Sequence, residues 1–315
     1  MDVMAVLSAP SASRAAKPRT SASKRVQNRA AYLFVTPFFI ALIALVLLPL
    51  GYSAYLSLYR EQIVGGVSFV GLENYITAFS DPKFLEGLGR VTTILLVQVP
   101  IMLALSLLFA LIIDSDRLRA SKFFRLAIFV PYAVPSVIAT LMWGYLYGGE
   151  YGPIAQLGAT LGLPTPDLLS QEWMLTSIMN IITWEFVGYN MIILYASLRT
   201  LPTEVFEAAR MDGAGAFRVA WSIKIPAIRP ALLLTLIFSI IGTFQVFNEP
   251  SLMYKIAPNV IGASYTPNLY AYNLAFVNQQ VNYAAALAFF LGIVIMVVSF
   301  TVQNTIERRN QKAMG

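Results

Sequence analysis

Residues 204–226 read Glu204-Val-Phe-Glu207-Ala208-Ala209-Arg-Met211-Asp212-Gly213-Ala-Gly-Ala-Phe-Arg-Val-Ala-Trp-Ser-Ile223-Lys-Ile225-Pro226 and lie between two strongly apolar stretches. The first part predicts a short charged helix. Glu204 and Glu207 fall in its first turns, where the positive end of the helix dipole favours carboxylates. Thr203 predicts the amino-terminal cap, and Gly213 predicts the left-handed residue that ends the helix. Because so short a helix is unstable alone in water, we expect it to fold against a partner.

Spacings of three and four positions place four residues on one face of this helix: Glu204, Glu207, Ala208 and Met211. A groove on a soluble protein would suit this face. The alternative is a helix that lies on the membrane surface. In that position its carboxylates would face anionic lipid, so the soluble partner is the favoured interpretation.

The composition is that of a membrane protein. Hydrophobic residues make up 57% of the 315 residues and charged residues 12%, whereas soluble domains have about 25% charged residues. Backbone groups in lipid must be bonded internally, so spans in such a chain are helices. Six windows reach the roughly 20 residues that a crossing needs: 31–59, 88–113, 123–147, 174–198, 231–249 and 284–306.

We therefore predict an all-α polytopic membrane protein with six transmembrane helices. The transmembrane domain covers residues 31–307 and includes a loop at 200–228. A disordered basic tail, 1–30, precedes it, and a short tail, 308–315, follows it. In the third span, Pro131 and Pro135 predict two breaks one turn apart.

The basic residues predict the orientation. Most of the 22 Lys and Arg residues lie in the amino-terminal tail, at 117–125, at 199–229 and after residue 307. The positive-inside rule then puts both termini and the Glu207 loop in the cytoplasm. The net charge of +6 does not indicate nucleic-acid binding, because these residues flank membrane spans.

Several kinds of chemistry are missing from the sequence. There is no Cys and no His, which excludes thiol catalysis, cysteine-ligated metal and the commonest proton shuttle. No phosphate-binding G-x-x-x-x-G-K-[ST] pattern and no G-x-S-x-G pattern occurs. We expect a chain without enzymatic activity, metal or cofactor of its own.

Polar residues inside the fourth span are candidates for a binding site. Glu185 lies near its middle, where a charge is costly and should face protein or a wet cavity. Trp184, Tyr189 and Asn190 add aromatic faces and an amide within two turns, and sugars are bound by such a mixture. The alternative is an internal pair between Glu185 and a neighbouring helix.

The fifth span ends in a second polar group, formed by Gln245, Asn248 and Glu249. We assign these residues to the same candidate site. For Glu249 the alternative is a carboxylate at the membrane–water interface.

The loop also resembles a known family. Glu207-Ala208-Ala209, three residues, Gly213, nine residues and Ile223-x-Ile225-Pro226 are similar to the EAA loop of ABC importer permeases, with Ile225 in place of the usual leucine. Other segments resemble the carbohydrate-uptake branch, which includes maltose and trehalose importers. They are Phe69-Val-Gly71-Leu-Glu-Asn74-Tyr75, Phe129-Val-Pro131-Tyr132-Ala-Val-Pro135-Ser136 and Met211-Asp212-Gly213-Ala214-Gly215.

This resemblance implies a type I importer permease fold in a bacterial cell membrane. The loop would form a coupling helix that docks in a cleft of a cytoplasmic ATPase. The residues implied in that contact or in shaping the loop are Glu204, Glu207, Ala208, Ala209, Met211, Asp212, Gly213, Ile223 and Pro226. The implied partners are a second homologous permease, two ATPase subunits that bind ATP and Mg, and an extracytoplasmic solute-binding protein.

The resemblance also implies that a sugar crosses the membrane by alternating access. Tyr189 and Gln245 align with sugar-contacting positions of the family, whereas Ile182 and Gly242 cannot copy the family's hydrogen bonds. Two alternatives remain open. One is an ABC permease for a polyol, a glycerol phosphoester or another small solute, and the other is an ion-coupled secondary carrier.

Overall fold

The computed structural model describes residues 21–62, 65–115, 118–149 and 151–314. The chain forms two compact units, Met1–Ser53 and Ala54–Gly315, and the sites described below lie in the second. Residues 1–20 of the predicted basic tail lie outside the described residues, and the first helix begins at Ser21.

The described chain is mostly helical. Its α-helices are α1 (Ser21–Leu42), α2 (Leu48–Ser57), α3 (Glu73–Ser80), α4 (Pro82–Thr93), α5 (Val99–Ile113), α6 (Ser121–Ala133), α7 (Ser136–Leu146), α8 (Pro153–Thr160), α9 (Met174–Leu198), α10 (Thr203–Met211), α11 (Ala216–Val219), α12 (Ile225–Ala227), α13 (Arg229–Phe244), α14 (Asn248–Ile256), α15 (Pro267–Tyr272) and α16 (Val281–Met314). A short antiparallel hairpin of β1 (Tyr59–Gln62) and β2 (Gly66–Phe69) precedes α3.

Five of the six predicted spans are single segments in the structure, and the sixth corresponds to a bent pair of helices. Within the described residues, the segments long and apolar enough to cross a membrane are Tyr32–Ser57, Pro82–Ile113, Met174–Leu198, Arg229–Ile256 and Val281–Arg308. The sixth candidate is the pair α6 and α7, which is bent by 97°. The protein is thus a multi-pass membrane protein.

The third span breaks at one point. Val134 is extended, with ψ 127°, and Pro135 caps α7. A residue before proline avoids the helical region, and this explains the break. Pro131 remains inside α6. The prediction of two breaks one turn apart is therefore wrong.

Three π-helical turns each end two residues before a proline. They are Ile43–Leu47 before Pro49, Ile94–Gln98 before Pro100, and Ala220–Lys224 before Pro226. Proline cannot donate to the preceding turn, and its ring crowds a carbonyl there. A wider turn gives the ring room, so these helices continue through their prolines.

The second unit is organised around α5 and α9, which pack against each other more extensively than any other pair of described elements. At the end of α5 that approaches α12, Ala110, Ile113 and Leu198 join Ile228 in an apolar cluster. α6 also packs against α9. A Cβ atom on Gly188 would lie 2.7 Å from the carbonyl carbon of Ile128, so only glycine permits this close approach.

Candidate functional site

A cavity of about 290 Å³ lies between α5, α9 and α13. α13 ends at Phe244 and α14 begins at Asn248, so the chain at 245–247 leaves the helical path at the cavity wall. The lining surface is mostly apolar, although polar residues are almost as numerous as apolar ones: Gln98, Met102, Ile182, Phe186, Tyr189, Asn190, Phe238, Ser239, Gly242, Thr243, Gln245, Val246, Phe247, Asn248 and Glu249. Ligand sites commonly have this composition.

The cavity brings together five of the residues predicted for a binding site. They are Tyr189, Asn190, Gln245, Asn248 and Glu249. α9 supplies the first two, and the chain after α13 together with the start of α14 supplies the other three. Both α13 and α14 pack against α9. The role of these residues in binding stays a prediction.

Sequence reasoning missed Gln98, which lies in the π-helical turn that leads into α5. Its side chain is 2% exposed, and its Nε2 donates to Thr183 Oγ1 over 3.2 Å. Thr183 Oγ1 donates in turn to the carbonyl oxygen of Met179, which fixes the direction of the Gln98 bond. The available signal was the one amide side chain in the second predicted span.

Gln98 and Asn190 each have a side-chain amide oxygen at the cavity wall that can still accept a hydrogen bond. Asn190 Nδ2 donates to the carbonyl oxygen of Phe186 over 3.0 Å. Within the described residues, Gln98 Oε1 and Asn190 Oδ1 have no hydrogen-bond partner. Because an unpartnered buried acceptor costs about 1–3 kcal/mol, both oxygens suit a ligand that donates hydroxyl groups.

Trp184 and Glu185 lie outside the cavity lining. Ile182, Phe186 and Tyr189 occupy one helical face at spacings of four and three, and Trp184 points away from that face. The Trp184 ring packs edge-on against Trp143 at 5.8 Å. A direct contact of either residue with a ligand stays a prediction.

Glu185 lies near a second buried carboxyl group. It is 3% exposed, and its acidic neighbour is Glu249 at the start of α14, which is 6% exposed. Neither carboxyl oxygen of Glu185 has a hydrogen-bond partner among the described residues, so the internal pair stays a prediction. Neither carboxyl group has an ion-pair partner within the described chain. Glu249 lines the cavity, so Glu185 supports the wall from behind. The assignment of Glu249 to a membrane–water interface does not fit this burial.

Aromatic rings form another part of the wall. Tyr132 of α6 stacks on Tyr189, with ring centroids 4.7 Å apart and an interplanar angle of 22°. Phe186 lies edge-on to Tyr132 at 5.8 Å. Tyr189 and Phe186 line the cavity, and their rings can pack against the C–H faces of a sugar.

The predicted charged helix is α10. Pro202 is its cap residue, and no side chain caps it. The prediction of a Thr203 cap is therefore wrong, because Thr203 already belongs to the helix. At the other end, Gly213 has φ +81° and its N–H donates to Arg210 O, while Ala214 N–H donates to Ala209 O. These two bonds form a Schellman motif, which explains the glycine.

The predicted contact face of α10 is exposed along its length. Glu204, Glu207 and Ala208 are exposed, and Met211 is 89% exposed. Asp212, which follows the helix, is exposed too, whereas Ala209 is half-buried toward the rest of the loop. An exposed methionine is suited to a protein contact, because methionine is enriched at such interfaces.

The second part of the loop is a continuous helical segment formed by α11, a π-helical turn and α12. Ile223 and Pro226 are half-buried. Val219 and Ile228 are more deeply buried, at 5% and 0% exposed, and they hold this segment against the core. Patterns of residue type alone could not distinguish these apolar positions.

Residues 75–312 match the family described as the binding-protein-dependent transport system inner membrane component. The match includes all of the cavity lining and the whole loop at 200–228. The chain belongs to this family.

Similar proteins agree with this assignment. The permease is 30% identical over 284 residues to the lactose transport system permease protein LacF of Rhizobium radiobacter, a match covering 89% of this chain and 95% of that protein. It is also 30% identical over 282 residues to the arabinooligosaccharides transport system permease protein AraP of Bacillus subtilis (strain 168), covering 87% of each chain.

A solved structure shares the fold of the permease. A chain of a bacterial alginate ABC transporter, solved in complex with an alginate pentasaccharide-bound periplasmic protein, aligns with a TM-score of 0.80. The alignment covers 91% of this chain and 97% of that chain at 18% identity. The predicted type I importer permease fold is confirmed.

Proposed function

We propose that this permease is the membrane-spanning subunit of an ATP-driven, binding-protein-dependent importer that moves a sugar across a bacterial cell membrane. The observation that carries the proposal is the coexistence of a mixed polar and aromatic cavity with an exposed, glycine-terminated α10. The cavity provides a place for cargo, and α10 provides a docking surface for the ATPase subunits that drive transport. These subunits, the motor of the importer, bind ATP and Mg, and this chain has no catalytic role.

A sugar is the cargo that the comparisons and the cavity support best. Relatives carry names for the transport of lactose, arabinooligosaccharides and diacetylchitobiose. The described residues that line the cavity include no Lys or Arg, which a phosphorylated cargo would want. The lining offers amide and carboxyl groups beside Tyr189 and Phe186, which suit neutral sugars.

The assembly that we infer contains a second homologous permease, two ATPase subunits and an extracytoplasmic binding protein. The distribution of Lys and Arg supports a cytoplasmic position for both termini and for α10. ATP-driven closure of the ATPase dimer would move the coupling helices toward each other and switch the cavity from inward-facing to outward-facing. By reciprocity, a loaded binding protein that favours the outward state strengthens ATP binding in that state.

An ion-coupled carrier that works alone is not favoured, because it leaves the exposed face of α10 without a role. Co-purification distinguishes the two mechanisms. A tagged permease expressed with its neighbouring transport genes should elute with an ATPase subunit. Elution of the permease alone, with sugar uptake retained in vesicles that lack ATP, would contradict the proposal.

The contact itself can be tested with a single cysteine, because the chain has none. Met211→Cys should react with a maleimide in the isolated permease and be protected in the assembled complex. Tyr151→Cys is the matched control, since Tyr151 is 83% exposed in a different loop. Equal labelling of Met211→Cys in both states would show that α10 is not the docking surface.

A further inference from the structure

Asp114, directly after α5, accepts a hydrogen bond from Lys224 of the loop and forms an ion pair with it. The Asp114 and Lys224 side chains are 6% and 15% exposed. Arg199 lies 3.9 Å from the same carboxylate but is 63% exposed. Exposed ion pairs contribute little, whereas loss of one partner from a buried pair leaves an uncompensated charge. Lys224 is therefore the partner that matters to Asp114.

Lys224 has a second contact, with α10. Its Nζ lies 5.0 Å from the centroid of the Phe206 ring, within the range of a cation–π interaction. Phe206 is half-buried, whereas its neighbours Val205 and Glu207 are exposed. One ammonium group thus touches the inner side of α10 and the end of α5.

α5 continues from this point to the cavity. The 16 residue steps from Gln98 to Asp114 span about 24 Å at 1.5 Å per residue. Gln98 and Met102, at the far end, line the cavity. On the way, α5 packs against α9, and Ser106 Oγ lies 2.7 Å from the carbonyl oxygen of Met102 in its own helix and 2.9 Å from that of Val187 in α9, with one proton to donate to either.

We propose that the Asp114–Lys224 ion pair, together with the Lys224–Phe206 contact, transmits movement of α10 to α5 and so to the wall of the cavity. Both residues are positioning residues, since neither touches cargo or nucleotide. The proposal rests on the proposed function, because it presumes a motor on the exposed face of α10. A purely structural role, in which the pair only keeps the loop folded, is the competing explanation.

The two explanations differ in the ratio of sugar transported to ATP hydrolysed. We would reconstitute the complete complex in proteoliposomes with its binding protein, and measure both rates for Asp114→Asn, Lys224→Met and Lys224→Arg. Lys224→Arg keeps the charge and should keep the ratio. Asp114→Asn and Lys224→Met should lower the ratio at least about fivefold, the lower end of typical coupling factors, while the ATPase still co-purifies.

Two further variants sharpen the test. The exchange Asp114→Lys with Lys224→Asp restores opposite charges and should recover most of the ratio. Arg60→Met is the control, because it removes the Arg60–Glu73 ion pair at the hairpin without touching the loop. It should leave the ratio unchanged.

Each outcome has a distinct meaning. If Asp114→Asn and Lys224→Met leave the ratio of sugar transported to ATP hydrolysed unchanged, the ion pair does not transmit movement, and the proposed function remains intact. If these variants fail to assemble, the charge exchange and Lys224→Arg decide the question. A lowered ratio of sugar transported to ATP hydrolysed in both would also overturn the proposed role of the ion pair. Absence of any ATPase from the wild-type complex would instead reject the proposed function.

Discussion

Replacing Gly188 by alanine is expected to separate α6 from α9. The new Cβ atom would overlap the carbonyl group of Ile128, whose oxygen is its nearest neighbour and whose carbon lies at 2.7 Å, and it would lie 2.8 Å from Cα of Phe129. Carbon atoms pack best at about 3.5–4.0 Å, so α6 has to move away by roughly 1 Å. These neighbours are backbone atoms, which cannot rotate out of the way.

Overpacking of this kind costs about 1–3 kcal/mol. Alanine also favours a helix over glycine by about 1 kcal/mol, which opposes the loss. Gly292→Ala is the matched control, since Gly292 lies within α16 and a Cβ there meets nothing within 4 Å. The difference in the free energy of unfolding between the two variants isolates the packing cost, which we expect near the upper end of the 1–3 kcal/mol range, at about 3 kcal/mol.

The measurements are the unfolding temperature of the purified permease in detergent and the rate of sugar uptake. Gly188→Ala should unfold at a clearly lower temperature than Gly292→Ala. Its uptake should also fall, because α6 carries Tyr132, which stacks on Tyr189 at the cavity wall. Equal unfolding temperatures and equal uptake in the two variants would refute the close-contact reasoning.

Three further outcomes are expected. Glu207→Arg should abolish uptake while membrane insertion remains normal, and normal uptake would count against the docking role of α10. Gln245→Leu removes a hydrogen-bonding group from the cavity and should lower sugar-stimulated ATP turnover roughly two- to tenfold. Glu185→Leu should also alter this turnover, through Glu249. If neither variant changes the turnover, the cavity assignment is rejected. Burial and Asp81 raise the pKa of Tyr270 above its ordinary value of 10.0, so its bond to Asp81 should stabilise the fold fully below pH 10 and be lost only as the pH rises through the higher folded-state pKa. The measurement is the difference in unfolding temperature between the wild type and Tyr270→Phe. This difference should be the same at pH 7 and pH 9. A difference that disappears by pH 9 would contradict the prediction.

The sequence was sufficient for the spans and for the loop. Long apolar windows and the distribution of basic residues depend on local composition, which the printed chain displays directly. The helix that ends at Gly213 was also predictable, because a left-handed residue at this point strongly favours glycine. The cap was not predictable in the same way, since Pro202 and Thr203 are adjacent and either can begin a helix.

The candidate site was only partly predictable, because it depends on which faces meet. The polar residues of α9 and of the chain after α13 could be named as a group. Which of them line one cavity depends on the rotation of each helix. Trp184 faces Trp143, and Glu185 faces Glu249. Gln98 joins the site through packing between distant segments, which no local pattern records.

The bend at Val134 gives the two halves of one span different immediate neighbours. α6 is pressed onto α9 at Gly188, whereas α7 packs on α14 and is tied to it by the 2.9 Å bond from Asn248 Nδ2 to Ser136 Oγ. A rigid rod would carry any displacement across the whole membrane, and this span is not one. The bend therefore lets α7 move together with α14 while α6 keeps its backbone contact with α9.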